Sequence, residues 1–153
     1  FCKELSKTEE VVILPFARLP IHIKHNNDLD LCQQIASISG LGVTLPSSLE
    51  EYRLVIADAS RVVSARFHGM ISAVSASKSC LVTSWGHKYF EAVPSGIADI
   101  KFLPWQDISL KRMLDGVNSL GESSSGKASK SKLSSTRNQS IEQFEKLVEI
   151  LDD

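Results

Sequence analysis

Arg61-Val62-Val63-Ser64-Ala65-Arg66-Phe67-His68-Gly69-Met70-Ile71-Ser72-Ala73-Val74 carries two hydrophobic periods in succession. Arg61 to Ala65 is short and β-branched, which predicts a strand. From His68 to Ser77 the apolar residues Met70, Ile71, Ala73 and Val74 recur at helical spacing, which predicts a helix with one packed side. The run Cys80-Leu81-Val82-Thr83 then predicts another strand. Strand, helix and strand in this order form a βαβ unit, whose strands are parallel and buried under helices.

The same alternation extends in both directions. Upstream, Val11-Val12-Ile13-Leu14-Pro15-Phe16 is a continuous apolar run of the kind expected for a first strand, and Gly42-Val43-Thr44-Leu45 for a second. Between them, Asn27 or Asp28 can cap a helix whose stripe is Leu29, Cys32, Ile35, Ala36 and Ile38 and which ends near Gly40. Pro46-Ser47-Ser48-Leu49-Glu50-Glu51 holds two overlapping Ser-x-x-Glu capping boxes, so a helix starts there and continues through Tyr52, Val55 and Ile56. Downstream, Ile100 to Leu103 predicts a fifth strand and Ser109 starts a helix with Leu110, Met113, Leu114 and Val117 on one side. The fold class is α/β, a doubly wound, Rossmann-like parallel sheet, over residues 1–121. Residues 122–140 turn to Ser, Lys and Gly and predict a linker or disordered loop, and Ile141, Phe144, Leu147, Val148 and Leu151 predict an amphipathic helix over 141–153.

Composition limits what such a domain can do. The chain has 153 residues, 42% of them hydrophobic and 23% charged, with a net charge of −1. That is long enough for a core without disulfides, and too neutral for a global field that would recruit nucleic acid or an anionic membrane. Lys127, Lys130, Lys132 and Arg137 are basic, but no aromatic residue stands among them for base stacking. The longest apolar run, Val11 to Ala17, is far short of the ~20 residues of a membrane span. Cys2, Cys32 and Cys80 are odd in number and sit among apolar neighbours, which predicts reduced thiols and a cytoplasmic setting. No His/Cys/Asp group has metal-ligand spacing and no Gly-rich phosphate loop follows the first strand, so neither a metal nor a nicotinamide cofactor is expected.

In an open parallel sheet, ligands bind beyond the carboxyl ends of the strands. That rule selects the loop after Phe16 with Arg18, His22, Lys24 and His25, the turn Ala65-Arg66-Phe67-His68-Gly69, and the loop Ser84-Trp85-Gly86-His87-Lys88. All three carry cationic or imidazole groups. The second runs straight into a helix, whose N-terminal N–H groups and dipole favour an anion, and Gly69 has no Cβ to obstruct one. Together they predict a site for a small, multiply charged anion.

Ser64-Ala65-Arg66-Phe67-His68-Gly69-Met70-Ile71-Ser72-Ala73, preceded by Ala57-Asp58 and followed by a strand and Lys88, resembles the C-terminal half of the polysaccharide pyruvyl transferases. The family carries S-x-R-x-H-(G/A) after an alanine-aspartate and a strand, with a lysine beyond the next strand. The resemblance extends more loosely from Val11 to about Leu120, including Pro15-Phe16 and Asp28. Two departures are local: Ser77-Lys78-Ser79 stands where the family usually has glycine-x-proline, and Trp85 where a tyrosine is commoner.

The resemblance implies a two-domain, GT-B-type transferase with its active site between two Rossmann-like halves, of which this chain is the second. It implies transfer of pyruvate, as a ketal, from phosphoenolpyruvate to a sugar of a polysaccharide, a cell-wall glycan or a lipid-linked oligosaccharide, in the cytoplasm or peripherally at the inner membrane face. Phosphoenolpyruvate is then the donor substrate, and no cofactor is needed. His68 is the candidate general acid, since imidazole readily gives up a proton near neutral pH. Arg66 would clamp carboxylate or phosphate through its planar fork, Lys88 would hold phosphate as a point charge, and Gly69, Ser64 and His87 complete the binding set. Asp58 is read as ordering the turn before its strand. Two alternatives use the same fold: a nucleotide-sugar-dependent glycosyltransferase and a non-catalytic binding domain.

Overall fold

The computed structural model describes residues 1–16, 27–84, 89 and 99–121. Its centre is a three-stranded parallel sheet in the order β1 (Arg61–Ser64), β2 (Ser79–Ser84) and β3 (Ile100–Pro104). Val62 lies opposite Cys80 and Val63 opposite Leu81, while Val82 pairs with Phe102 and Thr83 with Leu103. Among the described residues, the helices α1 (Cys2–Leu5), α2 (Asp28–Ser39), α3 (Leu49–Asp58), α4 (Phe67–Ser75) and α5 (Leu110–Asn118) accompany the sheet.

Side chains of β2 alternate between two cores, as the period of a strand requires. Cys80 and Val82 face Ile56 of α3 and Met70, Ala73 and Val74 of α4, whereas Leu81 faces Leu103, Val117, Leu120 and, from the first turn of the chain, Phe1 and Leu5. Helices therefore cover both faces of the sheet, and β2 is its buried centre. Burial alone pushes the Cys80 thiol up to about 12, so it stays protonated as an apolar core group.

Capping explains most helix starts. Asn27 accepts from the Leu29 N–H at 3.2 Å, Ser48 from Glu51 and Ser109 from Arg112. The Glu51 carboxylate reaches the N–H of Ser47 at 2.6 Å, one residue before the cap, and this bond holds its pKa below the usual range. Gly40 ends α2 in the left-handed region at φ 75°.

The end of α4 is closed by backbone hydrogen bonds. Lys78 donates its backbone N–H to Ala73 and Ser77 donates to Val74, the double bond set of a Schellman turn, with Ser77 left-handed at φ 56°. Glycine takes that conformation at least cost, and here serine takes it.

The first two expected strands are corrected by the structure. Residues 11–16 and 42–45 meet only in a single parallel bridge, Ile13 to Val43, with Thr44 donating to the Ile13 carbonyl at 2.9 Å. Pro15 and Pro46 supply no N–H to a ladder, so each segment stops pairing almost as soon as it starts. The helix α1 was not expected. It brings residues 1–9 beneath the sheet, where Glu9 pairs with Arg61 at 2.5 Å. The expected linker over 122–140 and helix over 141–153 lie outside the described residues. Among the described residues no helix is long and apolar enough to cross a membrane.

Candidate anion-binding site

Ser64, the last residue of β1, closes the turn into α4 with its own hydroxyl. Its Oγ donates to the Arg66 carbonyl at 2.9 Å and accepts the Arg66 N–H at 3.1 Å. A hydroxyl used in both directions shapes the backbone. Ser64, a candidate substrate-binding residue, thus also holds the turn.

Gly69 fits the same logic. A Cβ built there would lie 2.3 Å from Ser64 Oγ, 3.2 Å from Ser64 Cβ and 3.7 Å from a ring carbon of Phe16. Any side chain at this position would run into the serine hydroxyl. Gly69 is buried, and its missing side chain permits the close approach of α4 to β1.

Arg66 is the N-cap residue of α4, and its side chain makes no capping hydrogen bond. The N-terminus of a helix, with its aligned dipoles, attracts negative charge. The guanidinium itself is held by Asp28, the first residue of α2: Nε donates to Oδ1 at 2.9 Å and to Oδ2 at 3.2 Å, and Nη2 donates to Oδ1. Asp28 Oδ2 also accepts the N–H of Phe16 at 3.3 Å. One carboxylate thus joins the end of the 11–16 segment, the start of α2 and the turn into α4.

Aromatic groups frame the turn. Tyr52 donates its hydroxyl to the Pro15 carbonyl at 2.6 Å and its ring lies 5.6 Å from that of Phe16. Tyr89 is buried, donates its hydroxyl to the Ala65 carbonyl at 2.9 Å and meets the Phe67 ring edge-on at 5.7 Å. His68, the second residue of α4, is exposed, and its ring approaches Phe67 edge-on at 5.8 Å.

The structure thus brings Ser64, Arg66, His68 and Gly69 together with Asp28, Phe16, Tyr52 and Tyr89. Lys88, His87 and Trp85, and likewise Arg18, His22, Lys24 and His25, lie outside the described residues. Asp58 ends α3 and is exposed at the opposite, amino edge of the sheet, where an open depression is lined by Leu54, Val55, Ala57 and Asp58.

Sequence reasoning missed the partnership of Asp28 with Arg66 and the role of Tyr89. The sequence marks Asp28 as a helix-start residue and not as a partner of Arg66. For Tyr89 a signal existed, an aromatic residue directly after Lys88 in a loop that follows a strand.

Among the described residues no group of three or more His, Cys, Asp or Glu side chains could hold a metal ion. Comparison with protein-family models, curated proteins and solved structures finds no match.

Proposed function

We propose that this chain is the C-terminal, donor-binding half of a polysaccharide pyruvyl transferase, a Rossmann-like domain of the GT-B type that takes phosphoenolpyruvate in the cytoplasm. The observation that carries this reading is the folded form of the Ser64-to-Gly69 signature. It is a tight turn at the carboxyl end of a parallel strand, leading into the N-terminus of α4, with Arg66 fixed and His68 exposed next to it. An anionic ligand meets backbone dipole and guanidinium there in one place.

The reaction joins phosphoenolpyruvate and two hydroxyls of one sugar into a pyruvate ketal and inorganic phosphate. A proton goes to the methylene carbon, one hydroxyl oxygen bonds to the adjacent carbon, and the second hydroxyl oxygen bonds to that carbon as the C–O bond to phosphate breaks. Of the two hydroxyl protons, one replaces the proton given to the methylene carbon and the other leaves with the inorganic phosphate. In this reading His68 supplies the first proton, Arg66 holds the carboxylate, and the α4 N-terminus with Lys88 and His87 receives the phosphate. Gly69 and Ser64 shape the turn. The acceptor sugar, of a polysaccharide or a lipid-linked glycan, is held with a companion N-terminal half.

Thermal protection tests the donor class. Phosphoenolpyruvate at about ten times its dissociation constant is expected to stabilise the protein by roughly 1.4 kcal/mol, a rise of a few degrees in Tm. Uridine and guanosine diphosphates are expected to give no rise. Protection by a nucleoside diphosphate and not by phosphoenolpyruvate would overturn the reading in favour of a glycosyltransferase. Protection by neither would leave a binding domain of another kind.

A further inference from the structure

We infer that Asp28 is the positioning residue of this site, holding the side of the Arg66 guanidinium so that its far edge is presented to the carboxylate of the ligand. The inference rests on the reading of the β1-to-α4 turn as a phosphoenolpyruvate site and adds a residue and a geometry to it.

A guanidinium has five N–H groups in one plane, and they form separate two-pronged edges. Asp28 takes the side edge, made of Nε and one N–H of Nη2. The end edge, with one N–H from Nη1 and the second from Nη2, is not used by Asp28. Among the described residues no partner is recorded for Nη1. Carboxylate and phosphate both fit such an edge with two parallel hydrogen bonds.

Burial separates the two members of the pair. The side chain of Asp28 is 13% exposed and that of Arg66 36% exposed, so the carboxylate lies inward and the arginine is the member that reaches outward. Asp28 is itself fixed, as the first residue of a helix capped by Asn27 and as acceptor of the Phe16 N–H. A partly buried carboxylate stripped of its arginine is costly, so an incoming anion does not pull Arg66 away. The pair is neutral in sum. Recognition at this edge therefore depends on direction more than on net charge, and a lysine in place of the arginine cannot reproduce it.

The test uses the 153-residue chain and three probes, phosphoenolpyruvate, inorganic phosphate and uridine diphosphate, with dissociation constants from NMR titration and Tm from thermal melts. In Asp28→Asn, phosphoenolpyruvate affinity is expected to fall about tenfold or more, the scale of one charge-assisted hydrogen bond, while affinity for inorganic phosphate stays within about twofold. Arg66→Lys keeps a cation beside Asp28 and is expected to show the same selective loss, which covers the case of an Asp28→Asn protein that does not fold. The charge-swapped pair Asp28→Arg with Arg66→Asp is expected to recover Tm and not phosphoenolpyruvate binding. Phosphoenolpyruvate affinity within about twofold of wild type in both Asp28→Asn and Arg66→Lys overturns the inference and leaves the donor assignment standing. A wild-type protein that binds uridine diphosphate, with Asp28→Asn weakening it, overturns the donor assignment and retains Asp28 as the positioning residue. A wild-type protein that binds none of the probes overturns both.

Discussion

Gly69→Ala is expected to destabilise the protein by about 2–4 kcal/mol, the sum of an overpacked contact and strained turn bonds. The new methyl group would sit 2.3 Å from Ser64 Oγ, inside any allowed contact. A flexible side chain could swing aside, but this hydroxyl holds the turn at both the N–H and the carbonyl of Arg66. Moving it breaks both bonds, and moving α4 instead disturbs Met70 and Ala73, both completely buried. Thermal or urea melts should show a fall in Tm of roughly 5–15 °C. The double variant Ser64→Ala, Gly69→Ala removes the clashing oxygen and leaves a Cβ-to-Cβ approach of 3.2 Å, so it should be more stable than Gly69→Ala alone. Additive losses in the two single variants would show that Ser64 and Gly69 do not meet as described.

His68→Ala is expected to lower pyruvyl transfer by roughly 10²- to 10⁴-fold in the active protein, the usual contribution of a placed general acid. Its effect on Tm should be small, within about 2 °C, because an exposed side chain near a helix start contributes little to packing. The imidazole is exposed at the carboxyl edge of the sheet, two residues beyond Arg66. Phosphoenolpyruvate binding should survive in this variant, separating proton transfer from donor binding. Ketal formation at more than half the wild-type rate would remove His68 from the role of acid.

The parts of the fold that were legible in the sequence are those built from local rules. β1, α4, β2 and β3 appear where β-branched runs and helical stripes predict them, and Ser48 and Ser109 cap the helices they were expected to start. Residues 11–16 and 42–45 were overread because an apolar β-branched run states burial and says nothing about how many ladder bonds the neighbouring prolines permit. The four residues of α1 are too few to show a period.

Within the site, Arg66 and His68 could be read from the motif and from the strand-end rule, whereas their surroundings could not. Asp28 is 38 residues from Arg66, and nothing in either neighbourhood marks the pairing. The contact between Gly69 and Ser64 exists only once α4 folds back on β1. A short glycine-containing turn reads equally well as an anion cradle or as a packing allowance, and the difference lies in a third dimension that a pattern of residues does not contain.

The central claim is that the turn from β1 into α4 binds phosphoenolpyruvate, and a residue-resolved NMR titration of the chain tests it most directly. The account predicts saturable shifts that share one dissociation constant at the Arg66 guanidinium, the His68 imidazole and the Gly69 amide, with inorganic phosphate competing. The absence of saturable shifts up to about 10 mM, tenfold above the usual upper range of Michaelis constants, would contradict it. Shifts confined to the amino edge of the sheet, at Arg61, Ser79 and Gly121, would contradict it as well.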